Sequence, residues 1–143
     1  MALVIAGERS GVGKTTVTLA LLAALARRYP HQVQSFKVGP DYIDPMFHQV
    51  VTGRPCRNLD PILTSETYVA ECFQQHCPTA NYALVEGVMG LFDGVTGKDD
   101  WASTAHVARL LGLPIVLVLN CSSTSRSIAA IAHGYTTFDA RLT

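Results

Sequence analysis

Short apolar runs alternate along the chain with longer segments whose apolar residues recur at helical spacing. The runs have the length of buried strands, about four to eight residues, and most end at glycine, proline or a charged residue. We predict four strands, at residues 2–7, 31–37, 82–86 and 115–120, the last strongly buried. We predict helices at residues 15–28, 65–76 and 101–111, two more beginning at Asp44 (as N-cap) and Ser125, and an irregular segment at 53–61.

This alternation predicts an α/β fold, in which a mostly parallel sheet is flanked by helices on both faces. Right-handed crossovers bring the carboxyl ends of all strands to one edge of the sheet, where ligands bind. Polar residues follow each predicted strand, at 10–16, 37–44, 86–93 and 120–127. The sequence therefore predicts one composite site at this edge, within a single domain.

Composition narrows the classes of function. Hydrophobic residues make up 48% of the 143 residues, whereas lysine plus arginine and aspartate plus glutamate both total 11. No basic run occurs, so nothing indicates a nucleic-acid surface, and no apolar run is long enough to span a membrane. The first residues lack the basic segment and cleavage site of a signal peptide, so we expect a cytoplasmic protein. The four cysteines and five histidines show no metal-ligand spacing.

The segment ERSGVGKTT, residues 8–16, follows the first strand and opens the first helix. Gly11 and Gly13 allow backbone N–H groups to converge on an anion at a helix N-terminus. Lys14 would reach the outer phosphates of a nucleotide, Thr15 would ligate Mg²⁺, and Thr16 would donate to the innermost phosphate. The candidate nucleotide-binding residues are Ser10, Gly11, Val12, Gly13, Lys14, Thr15 and Thr16.

The spacing of this loop departs from the common phosphate-binding pattern. That pattern has a glycine five residues before the Gly-Lys pair, where this chain has Glu8, and the nearest glycine is Gly7. The loop alone leaves open whether the site works or belongs to a variant type.

Charged residues after the second and third strands are candidates for metal and substrate contacts. Glu86 ends the third strand, where a carboxylate would face the phosphate loop and hold Mg²⁺. Asp41 and Asp44 fit a site as well as they fit an Asx-turn and a helix start. Lys37 lies at the ligand edge, where a cation could neutralise an anionic substrate, and Asp93 is most simply a turn residue.

Several stretches together resemble the amino-terminal part of the cobyrinic acid a,c-diamide synthases, in the dethiobiotin-synthetase-like branch of the P-loop proteins. They are GERSGVGKTT, FKVGPDYIDPMFH, RNLDP, LVEGVMGLFDG and SRSIAA. The resemblance implies a three-layer P-loop NTPase fold and ATP-dependent amidation of the a and c carboxylates of a tetrapyrrole through acyl phosphates, with glutamine supplying ammonia. It also implies that a loop beginning at Gly7 is normal for this branch.

The resemblance assigns roles to matching positions. Lys14, Thr15 and Thr16 match nucleotide-binding residues, and Thr15, Asp44 and Glu86 match the Mg²⁺ shell. Lys37, Asp41 and Asp93 match charged residues of the catalytic site. The segment 125–127 matches a stretch near the substrate, whereas Asn120 stands where the family often carries aspartate.

The family continues into a glutaminase domain with a nucleophilic cysteine, and this chain contains no Gly-x-Cys-x-Gly motif. We therefore expect residues 1–143 to form part of an ATP-binding synthetase domain, with a sheet incomplete at its C-terminal end. Three alternatives stay open. One is amidation of another tetrapyrrole such as nickel-sirohydrochlorin, and another is a partitioning-type ATPase switch, although the extra loop lysine of those switches is absent. The third is a folded but inactive remnant. Whether the protein forms a homodimer is also open.

Overall fold

Five parallel strands form one sheet in the order β3-β2-β4-β1-β5 in the computed structural model, which describes residues 1–143. The strands are β1 (Ala2–Gly7), β2 (Val33–Val38), β3 (Arg57–Leu59), β4 (Tyr82–Glu86) and β5 (Ile115–Val118). The first and central strands, β1 and β4, match their predicted bounds. The predicted parallel α/β architecture is confirmed.

The helices are α1 (Lys14–Arg28), α2 (Asp44–Thr52), α3 (Glu66–His76), α4 (Thr104–Leu111) and α5 (Ser127–Thr137), with a 3₁₀ turn at Cys77–Thr79. Because successive side chains of a strand point to opposite faces, β1 contributes to two apolar clusters. Val4 packs in a cluster with residues of α3 and α4, whereas Ile5 packs against Leu22 of α1. Helices therefore cover both faces of the sheet. None of them is both long and apolar enough to cross a membrane.

Strand β3 was not predicted, because residues 53–61 were expected to be irregular. Its three residues pair in parallel with Phe36–Val38 of β2. Pro55 and Pro61 bracket it, and three residues are too few to show an alternating pattern.

Strand β5 was predicted to be strongly buried to residue 120, and this was wrong. It ends at Val118 and forms the sheet edge, with β1 as its only neighbouring strand. Val116 is 43% exposed. The apolar run IVLV is typical of a strand with both faces buried. An apolar run does not indicate whether the strand has one or two neighbouring strands in the sheet.

The helix starts differ from prediction by one to three residues, and α1, α3 and α5 begin at Lys14, Glu66 and Ser127 rather than at residues 15, 65 and 125. Helix α4 begins at Thr104 rather than at residue 101, because the side chain of Ser103 accepts a hydrogen bond from the backbone N–H of His106 and caps the helix. Asp44 is the first helical residue rather than the N-cap, which is Ile43. Instead, Asp41 Oδ1 accepts from the backbone N–H groups of Ile43 and Asp44 at 2.9 and 3.2 Å, so the expected Asx-turn is present.

Helix α2 has its polar face toward the sheet. Its buried residues are His48 and Thr52, at four and eight positions after Asp44. Its exposed face is apolar, including Met46 at 68% and Val50 at 84% exposure. This reversal of the usual amphipathic pattern places titratable groups of α2 beside the carboxyl ends of β2 and β4.

Candidate nucleotide and metal site

The loop between β1 and α1 has the backbone conformation of an anion cradle. Gly11 and Gly13 have φ values of +73° and +105°, which other residues rarely adopt. A side chain at Gly7 would overlap Val12, so glycine is needed where the loop closes over the end of β1. The displaced glycine is thus explained by the close approach of Val12.

A pocket of about 380 Å³ opens beside this loop, at the carboxyl ends of β1, β2 and β4. Most of the residues predicted from the sequence line it: Ser10, Gly11, Gly13, Lys14, Thr15, Thr16, Lys37, Asp41, Asp44 and Glu86. The residues that follow β4, Gly87 to Met89, complete its wall. The structure therefore brings the phosphate loop and the charged residues to one place.

Strand register explains the central charge pair. Lys37 of β2 and Glu86 of β4 are direct cross-strand partners, so their side chains share one face of the sheet. Lys37 Nζ donates to Glu86 Oε1 at 2.9 Å and to Asp44 Oδ2 at 2.6 Å. It also lies 3.6 Å from Asp41 Oδ2. One lysine thus holds three carboxylates around the pocket.

Thr15, the residue after Lys14, contacts two of the same carboxylates. The Thr15 hydroxyl lies 2.5 Å from Glu86 Oε1 and 3.3 Å from Asp44 Oδ2. A hydroxyl has one proton to donate, and the nearer oxygen belongs to Glu86. Three oxygens, from a hydroxyl and two carboxylates, therefore converge at one side of the pocket.

Electrostatics keep Lys37 and Glu86 ionised. Burial opposes the charge of Glu86, which has no exposed surface, but its hydrogen bond with His48, the Lys37 ammonium and the Thr15 hydroxyl together lower its pKa to about 2. Burial also opposes the charge of Lys37, yet its bonds with Asp44 and Glu86 raise its pKa. Lys37 and Glu86 are therefore held as a charged pair at neutral pH.

Lys14 spans the mouth of the loop. Its Nζ donates to the backbone oxygens of Arg9, at 2.9 Å, and of Met89, at 2.6 Å. Burial, followed by the charge of Lys37, lowers the pKa of Lys14. Two cations close together favour a polyanionic ligand between them.

Two residues behind the pocket were not singled out from the sequence. His48 is fully buried, and its Nε2 lies 2.7 Å from Glu86 Oε2. Its Nδ1 lies 3.4 Å from Cys56 Sγ, and burial raises the pKa of the Cys56 thiol to about 12. The sequence does contain a hint, because Asp44, His48 and Thr52 form a polar stripe at a spacing of four residues in a helix whose other residues, except Gln49, are apolar.

Some candidates lie outside the pocket. Asp93 is exposed, and its Oδ2 accepts from the backbone N–H of Gly90 at 2.8 Å, which matches the simpler expectation of a turn residue. Val12 contacts Gly7 rather than the pocket. Asn120 Oδ1 accepts from the backbone N–H of Ser122, and the segment 125–127 leads into α5 without lining the pocket.

The donor set suits magnesium. Mg²⁺ prefers hard oxygen ligands and usually takes one or two carboxylates, with waters and phosphate oxygens completing its shell. Thr15, Asp44 and Glu86 supply oxygens of this kind. No group of three or more His, Cys, Asp or Glu side chains is arranged to hold a metal ion.

Residues 3–143 match the model of the family described as the CobQ/CobB/MinD/ParA nucleotide binding domain. The chain belongs to this family. Its fold is that of the P-loop NTPases, as the resemblance of its motifs implied. Membership agrees with the glycine loop and the pocket beside it.

Several curated members of the family are close in sequence. The chain is 78% identical over 142 residues to the cobyrinate a,c-diamide synthase of Synechococcus sp., covering 99% of this chain and 31% of that protein. It is 66% identical over 137 residues to the cobyrinate a,c-diamide synthase of Synechocystis sp., covering 94% and 28% of the two proteins. It is 47% identical over 142 residues to the hydrogenobyrinate a,c-diamide synthase of Mycobacterium tuberculosis, covering 96% and 31%. The chain thus spans about a third of the length of the relatives it matches.

Proposed function

We propose that this chain supplies the ATP- and Mg²⁺-binding part of an enzyme that amidates the a and c side-chain carboxylates of cobyrinic acid, in cobalamin biosynthesis. The observation that carries the proposal is the meeting of Lys37, Asp44 and Glu86 with Thr15 beside the glycine loop. This is the arrangement that phosphoryl transfer between two anions needs. The names of the related synthases support the substrate.

The proposed reaction has two steps. A carboxylate oxygen of the substrate attacks the γ-phosphorus of ATP, and the bond from that phosphorus to the β,γ-bridging oxygen breaks, which gives an acyl phosphate and ADP. Ammonia then adds to the acyl carbon, the carbon–oxygen bond to phosphate breaks, and the amide forms with loss of one proton. Both steps depend on holding the reacting groups together and on neutralising their charge.

The residues divide this work. Lys14, with backbone N–H groups of residues 10–13, binds and orients the phosphates, and Thr16 donates to the innermost one. Lys37 neutralises the incoming carboxylate and transferred phosphoryl group. Thr15, Asp44 and Glu86 hold Mg²⁺, which when bound supplies positive charge to the phosphate oxygens. We assign substrate contacts to Asp41, which lines the pocket, and support of the 87–93 loop to Asp93, which bonds Gly90.

Ammonia requires a second unit. We propose that it comes from glutamine, through a glutaminase domain of the full-length protein. The relatives support this, because the chain spans only about 31% of their length. We place the reaction in the cytoplasm, where ATP and glutamine are available. A homodimer is compatible with this scheme.

The test is an assay of the full-length gene product with ATP, Mg²⁺ and glutamine. We expect amide formation and equimolar ADP with cobyrinic acid, and little with nickel-sirohydrochlorin. Preference for the nickel tetrapyrrole would support the proposed amidation reaction but show that cobyrinic acid is not the substrate. ATP-dependent dimerisation without amidation of either compound would contradict the proposal and favour a partitioning-type switch.

A further inference from the structure

The two carboxylate oxygens of Glu86 have separate partners. Oε1 faces the pocket, where it accepts from Thr15 and Lys37. Oε2 points the other way and lies 2.7 Å from Nε2 of His48, on the buried face of α2. Both side chains are fully buried, so water does not compete for this contact.

The partners of His48 determine which ring nitrogen carries the proton. An ionised carboxylate only accepts hydrogen bonds, so Nε2 is the donor to Glu86. The thiol of Cys56, whose pKa burial raises to about 12, keeps its proton at neutral pH and can donate to Nδ1. The hydrogen-bond pattern places a proton on Nε2 and lets Nδ1 accept from the thiol.

We propose that His48 is a positioning residue for Glu86: its Nε2–H holds Oε2, so that Oε1 is the oxygen presented to Thr15 and to the pocket. The terminal torsion of a glutamate side chain is broad and twofold, so the carboxylate needs a second anchor to keep one oxygen forward. The Nε2–H of His48 provides this anchor. The inference rests on the proposed role of Glu86 in holding Mg²⁺.

Substitution of the ring separates a positioning role from a merely structural one. His48→Met keeps an apolar side chain of similar length and removes the donor, whereas His48→Gln restores an N–H donor that can reach Oε2. Thr52→Val is the matched control, because Thr52 lies one turn later on the same buried face and its hydroxyl bonds backbone oxygens, including that of His48, rather than Glu86.

Mg²⁺ affinity is measured by calorimetry on the full chain saturated with a non-hydrolysable ATP analogue. Loss of a partner behind a metal ligand typically weakens metal binding about 10- to 100-fold. We expect that loss in His48→Met, affinity within about threefold of the wild type in His48→Gln and Thr52→Val, and unchanged analogue affinity in EDTA for all three. Equal Mg²⁺ affinity in His48→Met and the wild type, or equal losses in His48→Met and His48→Gln, would overturn the inference.

A second measurement needs neither nucleotide nor a variant, so it tests the inference even if His48→Met does not fold. The ¹⁵N shifts of the His48 ring in the wild-type chain at pH 7 should show a protonated Nε2 and a bare Nδ1. A proton on Nδ1 with a bare Nε2 would overturn the assignment. If the wild type itself shows no Mg²⁺-dependent binding, the proposed function fails; if it does and His48→Met matches it, only the inference about His48 fails.

Discussion

At the scale of single residues, Lys37, Asp44 and Glu86 meet because of one strand register and one helix start. The sequence predicts the sheet edge on which they lie, since Lys37 and Glu86 end predicted strands and Asp44 follows one. It does not predict that Lys37 and Glu86 are direct partners, because β2 and β4 are neighbours only in the folded sheet. His48 was missed for the same reason, since its partner lies 38 residues away.

Replacing Lys37 with methionine should leave the carboxylates of Asp41, Asp44 and Glu86 without their shared cation. Breaking a buried ion pair by removing one partner typically costs about 3–5 kcal/mol of unfolding free energy, measured by urea denaturation. Lys98→Met, at an exposed position, should change the free energy of unfolding by less than about 0.5 kcal/mol.

Mg²⁺ should stabilise the Lys37→Met variant more than the wild type. If Asp44 and Glu86 hold the metal, then Mg²⁺ with an ATP analogue should restore part of the stability that Lys37→Met loses, beyond the gain that it gives the wild type. An equal gain in both proteins would mean that the metal does not neutralise these carboxylates.

Stability should fall in acid through Glu86. Its pKa lies near 2 in the folded protein against an ordinary value of 4.5, so the ionised form stabilises the fold above pH 4.5 and this contribution is lost as pH falls toward 2. The shift corresponds to at most about 3 kcal/mol. In urea unfolding from pH 7 to pH 2.5, Glu86→Gln should lack this share of the pH dependence. The same slope in both proteins would contradict the assignment.

At the scale of elements, α4 anchors the segment that follows β4. Thr104, at the start of α4, accepts from the backbone N–H of Val88 at 3.0 Å and donates to its carbonyl oxygen at 3.1 Å. The next residue, Met89, offers its carbonyl oxygen to Lys14. The helix start and the phosphate loop are therefore linked through two consecutive residues. The sequence predicted helix α4 but placed its start three residues early, so this link could not be seen.

Thr104→Val should loosen this segment while keeping the shape of the side chain. The backbone N–H and the carbonyl oxygen of Val88 both lose their partner, which typically costs about 1–3 kcal/mol for a buried group. Hydrogen exchange at the Val88 amide should accelerate at least tenfold, and affinity for ATP should fall modestly. Thr136→Val is a suitable control, since Thr136 is exposed on α5. Unchanged exchange at Val88 would show that Thr104 does not hold the segment.

At the scale of the whole molecule, the order β3-β2-β4-β1-β5 puts β4 between β1 and β2. The phosphate loop that follows β1 therefore lies next to the end of β4, and the end of β2 lies beyond it. The alternation of predicted strands and helices indicated a parallel sheet, and a parallel sheet places the ligand-binding loops at this edge. Pattern did not reveal β3, which is too short, or the exposure of β5, which depends on the number of neighbouring strands. The sequence therefore predicts residue types and the alternation of strands and helices, whereas which strands become neighbours is seen only in the fold.

The proposed function requires this edge to bind Mg²⁺-ATP through the glycine loop and Lys14. Isothermal titration calorimetry of ATP into the chain, with and without Mg²⁺, tests it most directly, with Lys14→Ala as the variant and Lys98→Ala as the control. Charge-assisted hydrogen bonds are worth about 1.5–3 kcal/mol, so Lys14→Ala should bind ATP about 10- to 100-fold more weakly. Lys98→Ala should match the wild type, and Mg²⁺ should strengthen binding in both. Equally poor ATP binding by the wild type and Lys14→Ala would contradict the account.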